Sequence, residues 1–152
     1  MLEPIEGRFV TSYLGQYTHS VDDKGRVALP ARFRSGEAGQ SFVATRGIGP
    51  CLFLYPMDAW EKVLERLERQ KARVDPEQRR YYLQLMRNTA EATVDGQGRI
   101  SVPQHLVEAA GIGKEVLFVG AGEAIEMWDP ERYAAYVGEV EADFESWFSK
   151  FL

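Results

Sequence analysis

Residues 21–30 read VDDKGRVALP, and residues 94–103 read VDGQGRISVP. Each stretch runs Val, Asp, two further residues, Gly, Arg, alternating apolar positions, Pro. Five of the ten positions are identical, Val27 is matched by Ile100, and 73 positions separate every matched pair. A doubled Asp-x-x-Gly-Arg frame with a trailing proline marks an internal repeat. Its chemistry is that of a tight turn. The carboxylates of Asp22 and Asp95 can accept amides inside a turn, and Gly25 and Gly98 supply the left-handed conformation that ends one. Arg26 to Leu29 and Arg99 to Val102 then return as strands, with Val27 and Leu29 on one face. Pro30 and Pro103 have no N–H, so they end the ladder, and they suit the first turn of a helix.

Outward from the frames, each copy follows one order. In the first, Gln16 to Val21 is a strand leading into the turn, and a short helix ARFRS follows Pro30. SFVAT and CLFLY then pair across the turn RGIGP. An amphipathic helix starts near Met57, with Trp60, Val63, Leu64 and Leu67 on one face. In the second copy, Ala92 to Val94 leads in, and Pro103 opens the helix QHLVEAA, which Gly111 closes. EVLFV and AIEMW pair across a turn containing Gly120 and Gly122. Asp129 and Pro130 start a last helix with Tyr133, Tyr136, Val137, Val140, Phe144, Trp147 and Phe148 along one stripe. Between the copies, Asp75 caps an extra helix with Pro76 at its first position and Gln78 as capping-box partner, running to about Asn88. The fold class is therefore mainly β with α, and two four-strand units close one small barrel. The expected divisions are a leader 1–12, a first repeat 13–60, linking helices 61–89, a second repeat 90–133 and a C-terminal helix 134–152.

The totals exclude several classes. A chain of 152 residues with 45% hydrophobic and 27% charged residues is ordinary globular material. No apolar run is long enough to span a membrane, and the N-terminus lacks the pattern of a secretory signal. Cys51 stands alone, so no disulfide framework exists and a reducing cytoplasm fits. With two histidines, His19 and His105, metal sites and His-based catalysis are short of parts. No cofactor or small-molecule substrate is indicated. The net charge of −5 argues mildly against a polyanion partner, but its distribution argues the other way. Residues 24 to 34 hold Lys24, Arg26, Arg32 and Arg34 with no acid among them.

Two readings of the frames stand side by side. Each Asp–Arg pair can be an exposed ion pair that fastens its own hairpin, a contribution that is usually small. Alternatively, two turns brought together by a pseudo-twofold axis present guanidinium groups side by side. Arginine forks match phosphate oxygens and guanine edges, Lys24 adds a point charge for phosphate, and the Gln97 amide can read adenine. Arg99 is the one cation of the second turn. His105, at the place of Arg32, is left outside the site.

YLGQYTHSVDDKGRVALPARFR together with ATVDGQGRISVP resembles the MraZ family of bacterial transcriptional regulators. The resemblance covers residues 13 to 148 and rests on the doubled frame. It implies tandem AbrB-like domains in a swapped-hairpin, double-split barrel, and ring-like homo-oligomers. It also implies binding to double-stranded DNA at repeated boxes upstream of the division and cell-wall gene cluster, with a cytoplasmic, nucleoid-associated location. Carried over, the DNA-facing turn falls on Lys24 and Arg26, and the second frame, Asp95 to Arg99, matches it; the basic run adds Arg32 and Arg34 to the expected DNA-binding residues, and the second turn adds Gln97 and Arg99. Asp22, Gly25, Asp95 and Gly98 shape the turns. Trp147, Phe151 and Leu152 are expected between subunits, while Phe144 and Phe148 are expected to pack on their own barrel.

Four rivals remain. An aspartic-type hydrolase needs a hydroxyl residue beside each acid, where this chain has Asp23-Lys24 and Gly96-Gln97. Catalysis by Cys51 is disfavoured by its apolar run, CLFLY. An AbrB-type antitoxin and an assembly protein without sequence-specific DNA binding are the alternatives closest to the regulator.

Overall fold

A computed structural model describes residues 12–36 and 39–152. The leader 1–12 therefore lies almost wholly outside the described residues. The strands are β1 (Tyr13–Ser20), β2 (Arg26–Ala28), β3 (Ser41–Arg46), β4 (Cys51–Pro56), β5 (Thr89–Thr93), β6 (Arg99–Ser101), β7 (Glu115–Gly122) and β8 (Ile125–Trp128). The helices are α1 (Met57–Arg69), α2 (Pro76–Arg87), α3 (Gln104–Ala109), α4 (Pro130–Gly138) and α5 (Phe144–Ser149). Six strands form an antiparallel sheet in the order β1-β7-β8-β4-β3-β5. Strands β2 and β6 form a separate ribbon.

That ribbon joins the two copies. β2 does not run back along the strand before it, to which it is tied by a single bridge, Val21 to Val27. It pairs instead with its counterpart, with Arg26 opposite Ser101, Val27 opposite Ile100 and Ala28 opposite Arg99. The expected closed barrel does not form. β1 and β5 remain the two edges of the sheet. The reason lies in the prolines: Pro30 and Pro103 cut each ribbon strand to three residues, too short to bridge both edges.

What fastens the ribbon is its underside. Val27, Leu29, Ile100 and Val102 are all buried in the main core with Phe42, Leu52, Leu54, Phe118, Ile125 and Met127. Burying each such side chain is worth about 1.5–3 kcal/mol. Exposed ion pairs contribute much less, so the apolar face anchors the ribbon and leaves its outer face free for other work. A smaller cluster, Cys51, Leu117 and Trp128, lies apart, with Tyr133 of α4 packed against it.

Strand β7 departs from expectation. Gly120 and Gly122 sit inside it, not in a turn, and β7 pairs with β1 along all eight residues. At Gly120 a Cβ would lie 2.6 Å from the Tyr13 carbonyl carbon and 2.7 Å from Leu14 Cα. Only glycine lets β1 approach there. Gly120→Ala should therefore push β1 off the sheet and cost about 1–3 kcal/mol, typical of overpacking. A denaturant midpoint equal to that of the unmodified protein would show the strand contact to be slack.

The helices differ in detail. After Pro30 the chain makes one 3-10 turn, Ala31–Phe33, where the second copy makes α3. Asp75 accepts from the amides of Glu77 and Gln78 as expected, but the Gln78 side chain donates to the Gln70 carbonyl and forms no capping box. The last helix is not continuous. α4 ends at Gly138, a 3-10 turn spans Glu141–Asp143, and α5 follows. Glycine is a poor helix residue, and the break falls directly after it. Tyr133 and Tyr136 pack on Trp128. Beyond the break, Phe144 and Phe148 do not pack on the sheet but stack with Trp147 and stay about half exposed, at 50% and 44%.

Candidate nucleic-acid interface

The two turns are built alike, atom for atom. In the first, the Asp22 amide donates to the Arg26 carbonyl at 2.8 Å and the Gly25 amide to the Asp22 carbonyl at 3.0 Å. Asp22 Oδ1 accepts from the amides of Lys24 and Arg26, at 2.9 and 2.8 Å. Asp22 Oδ2 accepts from Arg26 Nε at 2.9 Å. In the second, Asp95 Oδ1 accepts from the amides of Gln97 and Arg99, at 2.8 and 3.0 Å, and Oδ2 from Arg99 Nε at 3.2 Å. Gly25 and Gly98 both have φ of 78°. Each aspartate thus does two things. It satisfies the turn's amides, and it aims its arginine.

Both carboxyls are held below their ordinary value of 3.8, first by the amide of the following arginine, with the guanidinium adding to it. They therefore stay ionised at neutral pH and keep hold of their arginines. A proton-sharing acid pair is the opposite arrangement.

Pairing in the ribbon brings the turns together. Arg26 and Arg99 alternate with the buried Val27 and Ile100, so both stand on the outer face. Arg99 Nη1 lies 3.7 Å from Asp22 Oδ2, so one carboxylate has a guanidinium from each copy beside it. The small residues Ala28 and Ser101 lie opposite Arg99 and Arg26, leaving the face open. Among the described residues, Arg26 makes no other guanidinium bond, so its two terminal nitrogens are available. Lys24, Arg32, Arg34 and Gln97 are all exposed. Of the residues expected at the site, Arg26 and Arg99 meet at the ribbon and Arg34 lies at the second turn, while Lys24 and Gln97 belong to the two turns and Arg32 is exposed on the 3-10 turn after Pro30.

Two contacts escaped sequence reading. One is the bridge from Arg99 to Asp22. The other is Arg34, whose guanidinium lies against Gly98 of the opposite turn. Both are contacts between copies, and no local periodicity signals them.

The rival sites look different. Cys51 is buried, donates to the Ile48 carbonyl, and its thiol is pushed up to about 12, by burial first and then by Glu126. It stays protonated and is no nucleophile. Among the described residues, no group of three or more His, Cys, Asp or Glu is arranged to hold a metal, and no helix is long and apolar enough to cross a membrane.

Comparison with known proteins shows the family. The family model described as "MraZ protein, putative antitoxin-like" matches residues 13–81 and 85–150, one stretch on each copy. A transcriptional regulator MraZ of Natranaerobius thermophilus is 40% identical over 134 residues, covering 88% of this chain and 92% of that protein. The one of Thermomicrobium roseum is 45% identical over 126 residues, 81% and 85% of the two chains. That of Heliobacterium modesticaldum is 38% identical over 141 residues, 92% and 96%. These relatives are transcriptional regulators, not enzymes.

Proposed function

The chain belongs to the MraZ family, and from that premise we propose that it is a DNA-binding transcriptional regulator whose paired turns enter a DNA groove. The observation that carries this is the outer face of the ribbon, where Arg26 and Arg99 flank one carboxylate and Lys24 and Arg34 stand exposed beside them. Guanidinium forks read guanine edges or grip phosphates, and Lys24 adds phosphate attraction. Gln97 offers an amide to adenine. The strand order favours a derivative of the tandem AbrB-like, swapped-hairpin plan over a closed barrel.

The regulator acts as a ring-like homo-oligomer in the cytoplasm, associated with the nucleoid. Its targets are repeated boxes upstream of the division and cell-wall gene cluster. The subunit contacts come from the chain end, where Trp147, Phe151 and Leu152 are 54%, 67% and 92% exposed. A contiguous apolar patch of this kind marks an interaction surface. Carrying one basic turn region many times on one surface reconciles DNA binding with a net charge of −5.

Footprinting on the region upstream of the protein's own gene tests the reading, with protected repeats as the expected result and uniform cleavage as the opposing one. Lys24→Ala should weaken binding and reduce the salt slope by about one, the loss of one phosphate contact. A slope unmoved across several salt concentrations would remove Lys24 from the interface. The antitoxin-like description of the family supports a second reading, capture of a toxin. A small protein co-purifying in equal proportion with the intact chain would favour it.

A further inference from the structure

The two turns are unequal in sequence. Gly96 and Gln97 stand where the first turn has Asp23 and Lys24, so the second turn has no lysine of its own. Arg34 belongs to the first copy, yet it lies across the second turn. A Cβ at Gly98 would run into its guanidinium, with Cζ only 3.0 Å away. The contact is not returned. A Cβ at Gly25 would meet nothing within 4 Å, and the position matching Arg34 in the second copy is Val107, an apolar residue packed against the core.

Arg34 is held in place from both sides. Phe33, directly before it, is 3% exposed in the core. The Arg34 amide donates to the Ala31 carbonyl at 3.2 Å, and the Leu29 amide donates to the Gly98 carbonyl at 2.9 Å. That last bond fastens the segment leading to Arg34 directly onto the opposite turn. The side chain is nonetheless exposed, and it has no carboxylate partner among the described residues. Among the described residues no hydrogen bond engages its guanidinium, which lies at the turn that carries Arg99.

We propose that Arg34 is the phosphate-contacting cation of the second turn, supplied by the first copy in place of the lysine that Gln97 replaces. The proposal rests on the DNA-binding reading above. It makes the two ends of the ribbon cationic alike: Lys24 and Arg26 at one turn, Arg34 and Arg99 at the other. It also assigns Arg34 to a different turn from the one its place in the sequence suggests.

The test uses the full chain and a duplex from upstream of its own gene, with a scrambled duplex of equal length, titrated at several salt concentrations. Arg34→Ala is expected to lower the salt slope by about one. Adding Gln97→Lys to Arg34→Ala should restore the slope, because it places a cation on the second turn directly. Adding Asp23→Asn instead gains the same unit of charge on the first turn and should not restore it. The proposal is overturned if Arg34→Ala leaves the slope unchanged, if Gln97→Lys does not rescue, or if Asp23→Asn rescues equally, which would mean bulk charge alone. A wild-type chain that retains neither duplex even at low salt would overturn the DNA-binding reading itself and this proposal with it.

Discussion

Arg26→Ala is expected to abolish preference for the target duplex while leaving the fold and the oligomer as they were. The structure separates the two effects. Arg26 touches its own molecule through Nε on Asp22, in a pair about one-third exposed that stabilises little. The ribbon beneath is anchored by Val27, Leu29, Ile100 and Val102, which the substitution does not reach. What disappears is the pair of terminal nitrogens on the outer face. One bidentate base contact is worth about 1–3 kcal/mol of discrimination, a factor of roughly five to 150 per subunit. On a multi-box target the losses compound, because each engaged subunit suffers them. Gel shift against target and scrambled duplexes reads the effect, and light scattering reads the assembly. Retained discrimination with an intact oligomer would exclude Arg26 as a reader. Dissociated subunits would mean that the turn holds the assembly instead.

The second large effect is expected from the chain end. Removing residues 144–152 should give a folded protein that no longer assembles. None of these residues belongs to either buried cluster, so the core does not depend on them. Half-exposed Phe144, Trp147 and Phe148 and the more exposed Phe151 and Leu152 would find burial only against another molecule. The truncated chain should bind a single box as the full chain does. On several spaced boxes it should lose the advantage of linkage, which is commonly a factor of 10² to 10⁴. The same logic applies to the DNA. Reducing the target from several boxes to one should cost the full-length protein far more than one box's share. Equal affinity of the full-length chain for both probes would remove the multivalent account, and an unchanged mass after truncation would move the subunit contact elsewhere.

Much of this was legible in the sequence because the frame has two independent signatures. The Asp-x-x-Gly-Arg spacing fixes a turn, and its recurrence fixes a pair. The element order, the shared face of Val27 and Leu29 and the burial of Cys51 followed from alternation and apolar runs. Pairing partners did not. A returning strand after a tight turn reads as one half of a hairpin, yet β2 prefers the matching strand of the other copy. Three-residue strands carry too little pattern to specify their neighbour. Gly120 reads as a turn residue because glycine marks turns and close strand approaches equally in sequence. The break after Gly138 was hidden by a stripe of aromatics that keeps helical spacing across it. That stripe also makes Phe144 and Phe148 look like core, although both stay about half exposed.

The difference between Lys24 and Gln97 has one more consequence. An assembly of two identical halves presents the same chemistry to both strands and suits a palindrome. Here the halves are fused and have diverged, so a lone subunit has a front and a back. On the proposed DNA-binding reading, such a subunit would tell a box from its inverted copy, and boxes arranged head to tail would all be met in the same sense.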